Sequence, residues 1–380
     1  MTYGKIVYKM WQPSKMILTA GPKIGKNDIR YVSDAVKNGW NLHHSDYIYK
    51  FEEAFAKYVN AKYTLSMPHG TSALHIALVC MGVGRGDEVI VPDLTYVTCA
   101  NVVHQLGAIP ILVDIDRETW SIDTSRLEKY ITKKTKVIMP VHLYGNIADM
   151  DGIAQIAKKH HLHILEDACE GLGSTLHGKQ VGSLSDAAAF SFQGAKLLSI
   201  GEGGMLVTKH KGWIERARSI VDNGISFTRQ FWHDEIGYMY AMSNIQAALG
   251  LSRLEDIDDL IARKRRINRW YRERLGGIKG IQFSPERKGV VSSFWMNTIV
   301  LDKDFGITRD ELRIKMSEMK IDTRPFFFPI SEFCFYNKQP INNPVSYHVS
   351  HNGINLPSGV MLTERMVDYI ASVIRKLLLK

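Results

Sequence analysis

Cysteine is scarce in this chain. Its 380 residues include only Cys80, Cys99, Cys169 and Cys334. No two of them form a C-x-x-C pair. That argues against a cysteine zinc site and a disulfide framework, and it fits a reducing compartment. Long apolar runs are also missing. None approaches the ~20 residues needed to span a bilayer. The first residues, "MTYGKIVYKMWQPSKM", are basic but lack the apolar stretch and small-residue cleavage site of a secretion signal. The expectation is a cytoplasmic protein with a loose N-terminal extension over residues 1–16. No internal repeat or low-complexity tract is visible.

A concentrated basic surface is absent too. The formal charge is +9, but the bases are dispersed apart from "RKRR" at Arg263–Arg266. That cluster falls in "LEDIDDLIARKRRINRWYRERL", where acids come first and bases second, as suits a solvated helix and its dipole. Neither a nucleic acid nor a membrane is expected as a partner. The positive excess suits a phosphorylated small substrate equally well. Two further motifs are incomplete. "GPKIGK" (Gly21–Lys26) is one residue short of a phosphate-binding P-loop, and Asn27 stands where the magnesium hydroxyl belongs, so it reads as a turn. "HHLH" (His160–His163) has no matching acid or cysteine cluster, and no metal site is expected. His43 and His44 fit either the surface or a substrate rim.

What the chain does have is alternation. Helix-like segments such as "SALHIALVCMG", "TYVTCANVVHQLG", "SRLEKYIT" and "MDGIAQIAKKHH" are interleaved with "DEVIVP", "IPILVDI", "KVIMPVHL" and "LHILEDA". Short Val/Ile/Leu strands between helices imply a mostly parallel sheet covered on both faces. "AAAFSF" and "GGMLVT" add two strands. From about Leu251 the pattern changes. A long charged helix leads to "SSFWMNTIVL", "TRDELRIKMSEMK", "IDTRPFFFP" and a last helix from about Thr363. The expected organisation is an extension over 1–16, a large domain over 17–250 and a smaller C-terminal α/β or α+β domain over 251–380.

Ligands of such sheets bind at the carboxyl ends of the strands. Asp167 follows "HILE" there, either as a helix N-cap or as the partner of a cationic ligand atom. Gly70, Thr71 and Ser72 open a helix, which is either plain capping or an anion site. Lys196 lies five residues after Ser191, among small and apolar residues that push an amine's pKa down, as a Schiff-base lysine requires. A structural lysine in a loop has the same look. Tyr96 follows "DEVIVP", where its ring could stack on a flat cofactor or fill the core. Each signal is weak alone. Together they supply a phosphate pocket, an aromatic plate, an acid for a ring nitrogen and a neutralisable amine. That set meets the needs of pyridoxal 5'-phosphate (PLP).

Several passages occur in an order that resembles one family. They are "GDEVIVPDLTYV", "KVIMPVHLYGNIADM", "ILEDACEGLGS", "SFQGAKLLSIGEGGMLVT", "MSNIQAALGLSRLE", "TRPFFFP" and "HNGINLPS". The chain is similar, from about Ile17 onward, to the DegT/DnrJ/EryC1/StrS sugar aminotransferases, and most to their GDP-perosamine-forming branch. The resemblance implies an aspartate-aminotransferase-like PLP fold with a seven-stranded, mostly parallel sheet. It implies PLP as cofactor, L-glutamate as amino donor, a nucleotide-linked 4-keto-6-deoxy sugar as acceptor, and a homodimer with shared active sites. It makes Lys196 and Asp167 catalytic. It assigns Gly70, Thr71, Ser72, Tyr96, Glu170 and Ser191 to the cofactor, with Glu170 near the ring hydroxyl. Trp232 and His233 in "RQFWHD", and Arg324 in "TRPFFFP", are candidate substrate contacts.

The chain also departs from the family. "GYMYAM" stands for "GYNYRM", so Met239 replaces an asparagine that reaches the neighbouring subunit's cofactor phosphate, and Ala241 replaces an arginine. His69 stands for an asparagine or serine, and "WNLHHSDYI" lacks the family's "WISS-x-G". Relatives with histidine at the Lys196 position are sugar dehydratases, and the lysine here favours amino transfer. The alternatives are an aminotransferase for a UDP- or dTDP-linked ketosugar, and a PLP- or sugar-nucleotide-binding protein without turnover.

Overall fold

A computed structural model describes residues 11–302, 304–336 and 342–379. The strands are β1 (Tyr63–Met67), β2 (Glu88–Pro92), β3 (Ile109–Val113), β4 (Thr135–Ile138), β5 (His163–Asp167), β6 (Thr175–Leu176) and β7 (Lys179–Gln180). They continue with β8 (Ala187–Ser191), β9 (Gly204–Thr208), β10 (Ile281–Phe283), β11 (Val290–Val291), β12 (Asn297–Leu301), β13 (Arg324–Pro325) and β14 (Gly353–Leu356). The helices are α1 (Lys26–Asn38), α2 (Asp46–Val59), α3 (Gly70–Cys80), α4 (Thr98–Gln105), α5 (Met150–His160) and α6 (Lys211–Ile220). They continue with α7 (Asn244–Glu255), α8 (Ile257–Leu275), α9 (Arg309–Glu318), α10 (Pro344–Asn352) and α11 (Glu364–Leu378). No helix among the described residues is long and apolar enough to cross a membrane.

The apolar strand runs become one seven-stranded sheet in the order β1-β9-β8-β5-β4-β2-β3. The pairs β2–β3, β2–β4, β4–β5 and β5–β8 are parallel, and β9 alone runs against its neighbours β1 and β8. Strands covered on both faces carry apolar residues at successive positions rather than alternately. β9 shows this, with all five residues of "GMLVT" buried. On one side of the sheet Phe51 and Phe55 of α2 pack edge-on or tilted against Phe190 and Phe192. On the other side α3, with nine of its eleven residues buried, lies against β8 and β9.

The chain after α8 builds a separate antiparallel sheet, β10-β12-β14-β13. It packs with α8, α9 and α11 around Tyr271, Ile299, Leu312 and Ile354. Thr363 caps α11, and a Thr308–Glu311 capping box opens α9. α7 runs through residue 250, and Ile17 bridges Ile321 beside the small sheet.

Three local expectations are corrected. "SRLEKYIT" forms a seven-residue 3-10 turn over Thr124–Tyr130, not an α-helix. The Asp123 carboxylate takes the Ser125 N–H and starts a tighter turn, and β-branched Ile131 and Thr132 follow it. The long charged helix is broken at Asp256, whose φ of −96° and ψ of 5° separate α7 from α8. Of the N-terminal extension, residues 1–10 lie outside the described residues. Its described end is not loose, because Trp11 stands edge-on to Tyr369 with ring centres 5.7 Å apart.

Candidate active site

β5 delivers Asp167 at its carboxyl end, and β8 delivers Ser191 beside it. The chain then turns back to β9 through residues 192–203. In that turn the Lys196 N–H donates to the Gln193 carbonyl at 2.7 Å. Gly201 takes φ +91°, a left-handed value that a Cβ would strain. The lysine is therefore fixed at its backbone next to the end of β5.

Its amine is not free. Lys196 Nζ lies 3.1 Å from Glu170 Oε1 and 4.0 Å from the centre of the Trp295 ring. The Trp295 indole N–H donates to the Ala195 carbonyl at 2.8 Å, so the same ring also holds the lysine's backbone. Glu170 is buried, and its second oxygen accepts the Tyr144 N–H at 2.8 Å. Burial pushes the Glu170 carboxyl above the usual carboxylate range, against the pull of Lys196. The sequence places the lysine among small apolar residues. The fold gives it a carboxylate partner and an aromatic face.

Asp167 is buried and has two donors. Oδ1 accepts the Cys169 N–H at 3.0 Å, and Oδ2 accepts the Cys99 thiol at 2.9 Å. Across the gap, α3 begins at Gly70. Its N-cap residue His69 makes no capping bond and instead reaches Glu202 at 3.1 Å. The first-turn N–H groups have no partner within the helix, and the positive end of its dipole faces the space.

These groups surround one cavity of about 450 Å³. Gly70, Thr71, Asp167, Glu170, Ser191 and Lys196 line it. Tyr96 and Arg324 line it too, with Trp295 and Phe327. Tyr96 is exposed and leans on Phe327 at 5.5 Å between ring centres, so it is a rim residue and not a core tyrosine. Ser72 is buried in the same helical turn and is not among the lining residues.

Trp232 and His233 do not line the cavity. They sit on a loop over residues 222–240, with Trp232 under the Arg229 guanidinium and His233 Nδ1 3.0 Å from the Asn223 carbonyl. His43 is exposed and pairs with Asp46, and His44 contacts the Asn41 carbonyl. Trp295, Cys99 and Tyr144 are site neighbours that no sequence signal marks. His69 was visible only as a departure from the family's asparagine or serine.

The cavity fits PLP. It offers one primary amine, a buried carboxylate for a ring nitrogen and an open helix N-terminus for a phosphate. Gly70 lies so close to the sheet that an added Cβ would stand 2.8 Å from Cys169 Sγ and 2.9 Å from Ser191 Cβ. The backbone of the first turn of α3 therefore lies directly against the strand ends.

Comparison with known proteins agrees. The chain is 40% identical over 362 residues to the GDP-perosamine synthase of Escherichia coli O157:H7, covering 95% of this chain and 98% of that protein. It is 38% identical to the GDP-perosamine synthase of Caulobacter vibrioides, with 95% and 98% covered. The fold matches the PLP form of Spr1654 from Streptococcus pneumoniae with a TM-score of 0.89 at 26% identity, over 95% of this chain and 98% of that one. The family model of the DegT/DnrJ/EryC1/StrS aminotransferases spans residues 22–375, and the chain belongs to that family of PLP-dependent enzymes.

Proposed function

We propose that the chain transfers the amino group of L-glutamate to the C4 keto carbon of a GDP-linked 4-keto-6-deoxy sugar, making a perosamine-type nucleotide sugar for a polysaccharide. The observation that carries the reading is the likeness to GDP-perosamine synthases, at 35–40% identity over 95% of the chain. The intact cavity around Lys196 supports it.

PLP bound in the cavity supplies an electron sink for removing a proton beside the amino nitrogen. Lys196 would hold the cofactor through its amine, and once freed its Nζ would take the proton from the donor's α-carbon in the first half-reaction and deliver a proton to the acceptor's C4 carbon in the second. Glu170, 3.1 Å from that amine, keeps it aimed inward. Asp167 would keep the ring nitrogen protonated. Thr71, Ser191 and the N-terminus of α3 would hold the phosphate, and Tyr96 would cover the ring. Arg324, at the rim, meets the donor carboxylate or the acceptor's phosphates. Both substrates use one cavity in turn, so the first product leaves before the second substrate enters.

A homodimer completes this reading. The loop over 222–240 exposes Phe231, Ile236 and Met239 by 86%, 94% and 70%. Apolar side chains so exposed on one loop suit cover by a second copy. Trp232 and His233 ride on the loop and reach the other copy's cavity.

The test is glutamate-dependent turnover on a panel of GDP-, UDP- and dTDP-linked 4-keto-6-deoxy sugars. GDP-4-keto-6-deoxymannose should give the highest kcat/KM. Preference for a UDP- or dTDP-linked sugar would reassign the acceptor. Failure with the whole panel would leave a binding protein without turnover.

A further inference from the structure

The mechanism proposed above uses none of the four cysteines. Two of them nevertheless flank Asp167. Cys169 supplies its backbone N–H to Oδ1, and Cys99 supplies its thiol to Oδ2. Among the described residues no Lys, Arg or His pairs with this carboxylate, although it is only 6% exposed. Lys196, the nearby cation, is paired with Glu170 instead. A buried carboxylate without a cation relies on its hydrogen-bond donors. Here they are one fixed N–H and one thiol.

We propose that Cys99 is a positioning residue for the amino transfer: its thiol locks the Asp167 carboxylate in the orientation that accepts the hydrogen bond of a protonated ring nitrogen. This rests on the reading of Asp167 as the partner of the PLP ring nitrogen.

The geometry supports the role. Cys99 lies in the first turn of α4 and is fully buried. Its N–H donates to the Tyr96 carbonyl at 3.2 Å, which ties it to the residue at the cavity rim. Thr95 Oγ1 stands 3.7 Å from the sulfur. The sulfur therefore has a fixed seat. With a donor on each oxygen, the Asp167 carboxylate cannot turn about its Cβ–Cγ bond without losing one of them. Cys99 is not among the cavity-lining residues, so it acts through Asp167 and touches no substrate.

A thiol also suits the chemistry. It is a weak donor, so it orients the carboxylate while leaving most of its charge for the ring nitrogen. Burial, and next the Asp167 charge, push the Cys99 thiol well above its ordinary range. The proton stays on sulfur, and the direction of the bond is fixed.

Two measurements test this. The first is infrared spectroscopy of the cofactor-free protein, where the S–H stretch falls in a window free of other protein bands. The band that disappears in Cys99→Ser should lie at lower frequency than a free thiol. If it lies at the free-thiol frequency, no such bond exists and the proposal fails. The second is PLP affinity by spectral titration. Cys99→Ala should weaken PLP binding by about five- to tenfold, with KM for glutamate little changed, and Cys99→Ser should restore binding to within about twofold. Wild-type affinity in Cys99→Ala overturns the proposal. So does a Cys99→Ser as weak as Cys99→Ala, because packing and not donation would then be at stake. A wild-type protein that binds no PLP would instead remove the reading of Asp167, and the infrared result would stand apart from it.

Discussion

At the scale of single residues, Lys196 and Lys264 show how environment separates roles. Lys196 is 16% exposed at its side chain and has a carboxylate at 3.1 Å. Lys264 of α8 is fully buried and has none. Among the described residues its Nζ donates only to the carbonyls of Trp295 at 2.8 Å and Ser358 at 2.6 Å. Burial pushes its pKa from 10.5 down to about 7. The sign of the linkage follows. Between pH 7 and about 10 the unfolded lysine binds a proton that the native one does not, so stability rises with pH by about 1.4 kcal/mol per unit. Below pH 7 both forms are charged and the slope from this group vanishes. Lys264→Met removes the group. The wild type should gain about 2–3 kcal/mol on the variant between pH 7 and pH 9, measured by urea denaturation. Parallel stability curves would show that Lys264 is charged in the native protein. The "RKRR" cluster was read as a solvated helix face, and that fits Arg263, which pairs with Asp259 on the surface. It does not fit Lys264, because one residue in that run turns into the core, and composition does not mark which.

At the scale of elements, much of the site was legible, because strand ends announce themselves. An acid after "HILE" and a lysine five residues after "AAAFS" are local patterns, and a parallel sheet brings such ends to one edge. The N-terminus of α3 was readable in the same way. Its closeness to the sheet was not, since the 2.8 Å and 2.9 Å approaches at Gly70 depend on how α3 settles on β8. Gly70→Ala should push the two apart and weaken PLP binding about tenfold or more, with the fold retained. Spectral titration of the purified variant checks this, and unchanged affinity would place the phosphate elsewhere. Trp295 shows the other limit. It precedes a strand of the small sheet, about a hundred residues after Lys196, and reaches the lysine only because the two sheets pack together. Nothing in "SSFWMNT" distinguishes it from any core tryptophan. The 3-10 turn at Thr124–Tyr130 was missed for a local reason: the Asp123 carboxylate outbids helical propensity at the turn's start.

At the scale of the whole molecule, the cavity lies at the carboxyl edge of the large sheet and is roofed from the small one by Trp295, Arg324 and Phe327. Residues from both sheets therefore meet at one cavity within a single chain. The loop over 222–240, with Met239 70% exposed, is the part that the proposed dimer would cover. The sequence showed this region through the departures at Met239 and Ala241 and through Trp232 and His233 as candidate substrate contacts. The claim on which all else rests is that Lys196 is the lysine that binds the cofactor. Borohydride reduction of the PLP-loaded protein, followed by peptide mapping by mass spectrometry, tests it most directly. The pyridoxyl mass should fall on Lys196 alone, in the peptide containing "SFQGAK", and should disappear in Lys196→Ala. A label on Lys264 or another lysine, or none at all in the wild type, would contradict it.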